Sequence, residues 1–413
     1  VRDIEIAHSP KAAEAKGDNA RMNGLDLLGG GHENVLFENV VIRPHNASAR
    51  VQGASEGVTF YRSMFLDAAM NQPVNAAKDW SDAAANKIQG LFAFGASGLL
   101  IEETLAHHNG WRDGYSVDGG AGPQVPSKFS HNFYINSNVS NVTFRNNIVA
   151  DAASTGAQIR GGGAISGNLF YGNNVAFLSA SGLSLGDGNS GDRGLLIDNV
   201  VTAPSNKDAP SIGARGWGVI TDGAGLIVDT IIANDGDGLF TWPTGVANPL
   251  ALRSTLGVSY ETRDVAIFNW GKFAIDVPYS TGGAATFLNV TVDAFARQAL
   301  GDAGATIADL MSLWRVRDRD DWNDVADAAD AVAFFHNGFA YGLRIAQANR
   351  DVRFEAASGA DGFRWDDRLN WTQQLAPISG DVVRIDGHAV TYGGETLRLA
   401  GLDLGQGGAL RVT

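Results

Sequence analysis

The sequence has 413 residues, with 31 basic and 45 acidic side chains, a formal net charge of -14, 52 glycines and no cysteine. The lack of cysteine excludes disulfides, thiolate metal sites and cysteine nucleophiles, and the negative charge argues against nucleic acid and anionic lipid surfaces as partners. Since no run of about 18 apolar residues is present, the sequence predicts no membrane span.

A short phrase recurs along most of the chain: a small or polar residue, an apolar-x-apolar triplet, and a second short apolar group about four residues later. Successive copies mostly lie between about 21 and 31 residues apart, which predicts stacked coils of three short parallel strands each. The copies are NVLFENVVI from Asn34, GVTFYRSMFL from Gly57, GLLIEETLA from Gly98, NVTFRNNIV from Asn141, AISGNLFY from Ala164, GLLIDNVVT from Gly194, GLIVDTIIA from Gly225, DVAIFNWG from Asp264 and ATFLNVTV from Ala285.

Asparagine recurs at the bend of this phrase, as at Asn39, Asn146, Asn168 and Asn199. Asparagine tolerates the left-handed backbone region and can hydrogen-bond to the next coil, so these residues are expected at stacked corners. Over roughly residues 30–300 the pattern resembles the right-handed parallel β-helix proteins of the pectate-lyase-like superfamily. The resemblance implies an all-β solenoid, which we assign to residues 1–300. A leucine-rich repeat is the competing interpretation, but its regular leucine spacing is missing.

Two further segments follow the predicted β-helix. Residues 301–350 have apolar side chains at intervals of three and four, which predicts amphipathic helices forming a helical insertion or a cap. Residues 351–413 predict short strands with glycine turns, and GDVVRIDGHAVTYGG resembles the start of a second repeat module in bacterial exported proteins. We therefore expect a piece of a larger bacterial protein, secreted or on the cell surface, with self-assembly through repeat modules as one further expectation.

Polar residues are dense between Leu105 and Arg160, beside the long insertions at about 67–97 and 109–140. His108, His131, Tyr134 and Arg160 recur at roughly one-coil steps, so they are predicted to share one face and to form a catalytic group. The pattern HHNGW…HNFY…STGAQIRGGG is similar to uncharacterised bacterial β-helix proteins and carries no assigned reaction. The predicted substrate-binding residues are Asn109, Trp111, Arg112, Asp113, Asn132 and Gln158.

Such a group suits β-elimination at a uronic acid, because this reaction needs a cation for the carboxylate, a base for the C5 proton and an acid for the leaving oxygen. Arg160 or Arg112 would neutralise, His108 or His131 would be the base, and Tyr134 the acid. The predicted function is thus an extracellular polysaccharide lyase-like protein acting on an acidic polysaccharide. The alternative is a non-catalytic adhesin or scaffold that binds glycans, in which these side chains only hydrogen-bond to loops.

Acidic residues leave two other options open. Glycoside hydrolysis needs two carboxylates, with Asp113, Asp118 and Asp151, or Asp222, Asp235 and Asp237, as candidates, although aspartate before glycine is commonly a turn residue. The same oxygens could hold a single Ca²⁺, but no EF-hand loop or GGxGxD array is present. We assign no metal ligand.

Overall fold

The computed structural model describes the following residues: 1–7, 23–43, 47–69, 88–111, 129–179, 194–203, 217–221, 225–233, 252–254, 260–263, 265–268, 290–338, 351–356, 362–365, 370–372, 377, 382–392, 399 and 401–412. The chain divides into two compact units, Val1–Phe335 and His336–Thr413. Among the residues described, helices are all too short or too polar to cross a membrane.

The first unit consists mainly of short strands, most of them three to six residues long. They are β1 (Arg2–Ala7), β2 (Asn23–Leu27), β3 (Leu36–Arg43), β4 (Ala47–Gln52), β5 (Thr59–Tyr61), β6 (Met64–Leu66), β7 (Gln89–Phe94), β8 (Leu100–Glu102), β9 (Leu105–His107), β10 (His131–Ile135), β11 (Thr143–Arg145), β12 (Ile148–Ala150), β13 (Thr155–Ile159), β14 (Gly163–Ser166), β15 (Leu169–Tyr171), β16 (Val175–Ser179), β17 (Gly194–Ile197), β18 (Val200–Thr202), β19 (Trp217–Thr221), β20 (Gly225–Val228), β21 (Ile231–Ala233), β22 (Leu252–Ser254), β23 (Tyr260–Arg263) and β24 (Ala266–Phe268).

These strands form two long parallel sheets. From β5 onward, each strand pairs in parallel with the strand three places later in the chain, as β7 does with β10 and β10 with β13. One sheet has eight strands, from β2 to β22, and the other has sixteen. The long strand β3 joins the two arms of the sixteen-stranded sheet, because its first half pairs with β5 and its second half with β6. The predicted mostly β, parallel-stranded character is confirmed.

Alternate side chains of the strands fill a continuous core. In β10, Phe133 and Ile135 are fully buried in this core, while Tyr134 between them is partly exposed. Because successive strand residues point to opposite faces, Tyr134 lies on the outer face of the sheet. The core contains a chain of phenylalanine rings with centroids 5.0 to 6.4 Å apart: Phe60, Phe65, Phe133, Phe144, Phe170 and Phe177.

The corner asparagines divide into two groups. Asn39 and Asn146 adopt the left-handed backbone region, with φ of 52° and 55°. Asn168 and Asn199 instead belong to a buried ladder that begins at Asn147. The Nδ2 atom of Asn147 donates to Oδ1 of Asn168 at 3.0 Å, and Nδ2 of Asn168 donates to Oδ1 of Asn199 at 2.9 Å. The expected side-chain ladder therefore exists, one position after the left-handed corner.

Three helices and one short turn of 3-10 helix follow the strands: α1 (Val292–Leu300), α2 (Ile307–Trp314), the 3-10 turn Asp321–Asn323, and α3 (Ala328–Gly338). Helix α2 begins at a capping box in which Thr306 and Asp309 exchange hydrogen bonds. The segment contacts the turns of early strands: Asn323 accepts from Arg62 at 2.7 Å. The helical segment thus packs beside the turn between β5 and β6.

The second unit contains β25 (Asp351–Arg353), β26 (Val382–Ile385), β27 (Ala389–Tyr392), β28 (Gly401–Leu404) and β29 (Ala409–Val412). Two parallel ladders run β25-β26-β28 and β27-β29. Their buried side chains include Val383, Ile385, Val390, Trp365 and Trp371. The described strands are four residues long or shorter; the assignment of residues 351–413 to a second repeat module, and self-assembly through it, stay predictions.

Candidate functional site

The predicted site residues lie on two different sheets. His131 and Tyr134 are in β10, Gln158 is in β13 and Arg160 directly follows β13, so this group belongs to the eight-stranded sheet. His108 follows β9 in the sixteen-stranded sheet. Six candidates lie outside the described residues: Arg112, Asp113, Asp118, Asp222, Asp235 and Asp237.

The outer face of the eight-stranded sheet carries a row of aromatic and polar side chains. The strand register places Phe92 beside Tyr134, and Tyr134 beside Gln158. The rings of Phe92 and Tyr134 are nearly parallel, with centroids 5.5 Å apart. At the end of β7, Phe94 is 44% exposed, which is high for a phenylalanine. We call Phe92, Phe94, Tyr134 and Gln158 the outer-face row; Arg160 lies beneath it.

One hydrogen bond fixes the polar end of this row. The Nη1 group of Arg160 donates to the phenol oxygen of Tyr134 at 3.0 Å, and Arg160 itself is buried. The guanidinium therefore supports the phenol from beneath the surface. The row combines ring surface, an amide and a phenol, with Arg160 below the phenol.

His131 is close to Tyr134 but is buried. Only 4% of the residue is exposed, its ring lies 5.5 Å from that of Tyr134, and the backbone N–H of Thr155 points at its Nδ1 atom at 3.4 Å. Burial lowers the pKa of His131 from 6.5 to about 3, because an imidazolium there would lose its hydration. The imidazole is neutral at neutral pH and weakly basic, and its burial does not suit direct contact with a ligand.

Asn109 and Asn132 have no exposed surface. Nδ2 of Asn109 donates to the carbonyl of Phe65 at 2.9 Å and to Oδ1 of Asn132 at 2.7 Å. Nδ2 of Asn132 in turn donates to the carbonyls of Ala106 and Ala150. Both amides thus hold backbone turns together in the interior, and we leave them out of the candidate binding surface.

Trp111 is also buried, and its indole N–H donates to the carbonyl of Asp151 at 3.0 Å. Its ring is stacked on that of His108, with centroids 6.1 Å apart. It therefore supports the neighbouring histidine by packing. Like the two asparagines, it lies beneath the surface and is left out of the outer-face row.

A second group of polar residues lies on the sixteen-stranded sheet, where the sequence predicted His108 as a catalytic residue and Asp151 as a candidate carboxylate for glycoside hydrolysis. We call Asp67, His107, His108, Asp151 and Arg315 the polar network. Arg315, just after α2, donates to both Asp67 oxygens and to Nδ1 of His107. Nδ1 of His108 lies 3.2 Å from Oδ1 of Asp67, and Nε2 of His107 lies 3.3 Å from Oδ2 of Asp151. Through Arg315, the helical segment thus contacts the ends of β6 and β9.

The electrostatics of the network follow from these contacts. Burial alone would raise the pKa of Asp67, but hydrogen bonds from His108 and Arg315 overcome it and lower the pKa to about 2. For His107, burial lowers the pKa, with Arg315 and His108 acting in the same direction and Asp151 opposing them. Asp67 is therefore ionised and His107 neutral at neutral pH.

The aligned repeats carry a signal that could have revealed this network. Asp67, His108 and Asp151 follow β6, β9 and β12, which are neighbours in one ladder. All three adopt the left-handed region, with φ of 55°, 60° and 48°. In the sequence, MFLD, LAHH and IVAD end three copies of the repeat phrase at this position. The contact with Arg315 has no such signal, since it spans 248 residues.

Comparison of the chain with protein families, with curated proteins and with solved structures finds no match. Within the described part of the chain, there is no group of three or more histidine or acidic side chains that could hold a metal ion. The Ca²⁺ option, which depends mainly on aspartates outside that part, stays a prediction.

Proposed function

We propose that the first unit is a right-handed parallel β-helix of the pectate-lyase-like type. The proposal is supported by the parallel pairing of each strand from β4 to β21 with the strand three places later in the chain, which is the pairing that stacked three-strand coils require. The right hand is expected because crossovers between parallel strands are right-handed in about 98% of cases. The buried asparagine ladder supports the same arrangement.

We further propose that this β-helix is an extracellular protein that binds an acidic polysaccharide along the outer-face row. The observation that carries the proposal is the continuous register Phe92–Tyr134–Gln158 with Arg160 bonded to the phenol. Sugars are commonly held by aromatic surface together with a few placed polar groups. Arg160, buried below the phenol of Tyr134, places a basic side chain under the row and favours a carboxylated sugar through Tyr134 despite the net charge of -14. Secretion or a cell-surface position belongs to this proposal.

Binding to a panel of polysaccharides tests the proposal. Affinity electrophoresis with alginate, pectate and a neutral dextran should show retardation by at least one acidic polymer. Tyr134→Ala should weaken it by roughly two- to tenfold, since an aromatic contact contributes about 0.5–1.5 kcal/mol. Tyr61→Ala is the matched control, because Tyr61 is also a partly exposed strand tyrosine beside an arginine, but on the other sheet. The proposal fails if the protein binds none of the acidic polymers, or if Tyr134→Ala binds as tightly as Tyr61→Ala.

Polysaccharide lyase activity is a second candidate, favoured by the Tyr134–Arg160 hydrogen bond. This pair sets a proton donor beside a carboxylate-neutralising cation. In β-elimination a base takes the C5 proton, the C4–O bond breaks, a C4=C5 double bond forms and the leaving oxygen is protonated. Ultraviolet absorbance of the unsaturated product measures this reaction. Tyr134→Phe should abolish product formation while keeping most binding, and binding without any absorbance would leave the non-catalytic function.

A further inference from the structure

His108 combines an engaged nitrogen with an open one. Its Nδ1 atom lies 3.2 Å from Asp67, whose pKa of about 2 makes it an ionised acceptor, so Nδ1 carries the ring proton. In the neutral form of the ring, Nε2 then has a free electron pair. The side chain is 46% exposed, and among the described residues Nε2 has no hydrogen-bond partner. His108 adopts the left-handed region at the same repeat corner as Asp67 and Asp151, with φ of 60°.

The surroundings hold this imidazole in place. Arg315 donates to both oxygens of Asp67 and so fixes the carboxylate opposite His108. The His108 ring is stacked between those of His107 and Trp111, with centroids 5.7 and 6.1 Å away. His107 is engaged on both nitrogens, by Arg315 and Asp151, so it cannot offer a lone pair. His108 is therefore the proton acceptor of the network that a ligand can reach.

We propose that Asp67 and His108 form a dyad, positioned by Arg315, that accepts a hydrogen bond from a hydroxyl group of a bound sugar. The dyad adjoins the strand end of the eight-stranded sheet, since the backbone N–H of Asn109 donates to Oδ1 of Asn132 at 3.4 Å. The choice of a sugar as ligand rests on the proposed function. The dyad itself rests on the contacts of Asp67, His108 and Arg315.

The imidazole nitrogen spectrum of the whole chain, labelled with ¹⁵N-histidine, tests the dyad. At about pH 8.5, where histidine side chains are ordinarily neutral, His108 should show a protonated Nδ1 and an unprotonated Nε2, with its signals assigned through His108→Gln. In Asp67→Asn, the two Arg315 donors should hold the amide oxygen, so the amide N–H₂ faces Nδ1 and the proton moves to Nε2. Asp151→Asn is the matched control, which should alter the signals of His107 and leave those of His108 unchanged.

Titration with the polysaccharide that binds most tightly completes the experiment. A shift of the His108 Nε2 signal, with a roughly two- to tenfold affinity loss in His108→Gln, is expected. Signals of His131, beside the outer-face row, report the proposed function separately. If they shift and those of His108 do not, the sugar site at the dyad is overturned alone. If no polysaccharide binds, both assignments fall. A protonated Nε2 in the unaltered protein overturns the dyad even if Asp67→Asn does not fold.

Discussion

Replacing Asn168 tests whether the buried asparagine ladder holds the stacked strands together. Its side chain makes hydrogen bonds with Asn147, Phe144 and Asn199: Oδ1 accepts from the backbone N–H and Nδ2 of Asn147, and Nδ2 donates to the Phe144 carbonyl and to Asn199. Each net bond contributes about 0.5–1.5 kcal/mol, and the partners stay buried when it is lost. Asn168→Ala should therefore lower the free energy of unfolding by about 4 kcal/mol.

Urea unfolding followed by circular dichroism measures this loss. Asn23→Ala is the control, because the Asn23 amide makes one exposed hydrogen bond, to Asp26. Its cost should stay within about 0.5 kcal/mol. A cost below about 1 kcal/mol for Asn168→Ala would refute the reasoning, since four buried bonds could not then be contributing. An equal slope against urea in both variants confirms that the change is one of stability.

The other predictions concern close packing and pH. Gly161→Ala should lower the free energy of unfolding by at least about 2 kcal/mol, measured by heat or urea, because a Cβ atom would lie 2.0 Å from the Val139 carbonyl oxygen. Gly304→Ala is the control and should be tolerated, because the nearest atom to its Cβ lies 3.5 Å away. Equal losses in the two variants would contradict this prediction. Asp67 should stabilise the fold fully above about pH 4, and this contribution should fade as the pH falls towards 2, because its native pKa lies below its ordinary 3.8. Asp67→Asn should remove that part of the acid dependence of the melting temperature, and an unchanged profile would count against the network. His131 stays neutral in the fold to about pH 3 while the unfolded chain takes up a proton below 6.5, so stability should fall between these values. In His131→Phe, stability should depend less on pH between about 3 and 6.5. An unchanged pH dependence would show that other groups cause the loss of stability.

The strand repeats were predictable because burial acts at every second residue of a short strand. The copy NVTFRNNIV contains β11 and the first two residues of β12, and the residues of its two apolar groups, Val142 with Phe144 and Ile148 with Val149, are all buried. The helices were predictable for the analogous reason, since α2 buries Ile307, Leu310 and Trp314 at helical spacing. Local periodicity thus carries the secondary structure.

The candidate site was only partly predictable, because residue type does not reveal which way a polar group points. Asn109 and Asn132 are of a residue type that usually lies on the surface, yet their side-chain amides donate hydrogen bonds to backbone carbonyls in the interior. His131 lies in the predicted neighbourhood of Tyr134 but is covered. Arg315 could not be found from spacing at all, since only the docking of the helical segment brings it to Asp67.

The central claim is that polysaccharide lies along the outer face of the eight-stranded sheet, and hydroxyl-radical footprinting tests it most directly. Oxidation of Phe92, Phe94 and Tyr134, measured by mass spectrometry, should slow when the bound polymer is added. Tyr61, on the sixteen-stranded sheet, should be oxidised at an unchanged rate. Protection of Tyr61 with no protection of the three outer-face aromatic residues would contradict the claim.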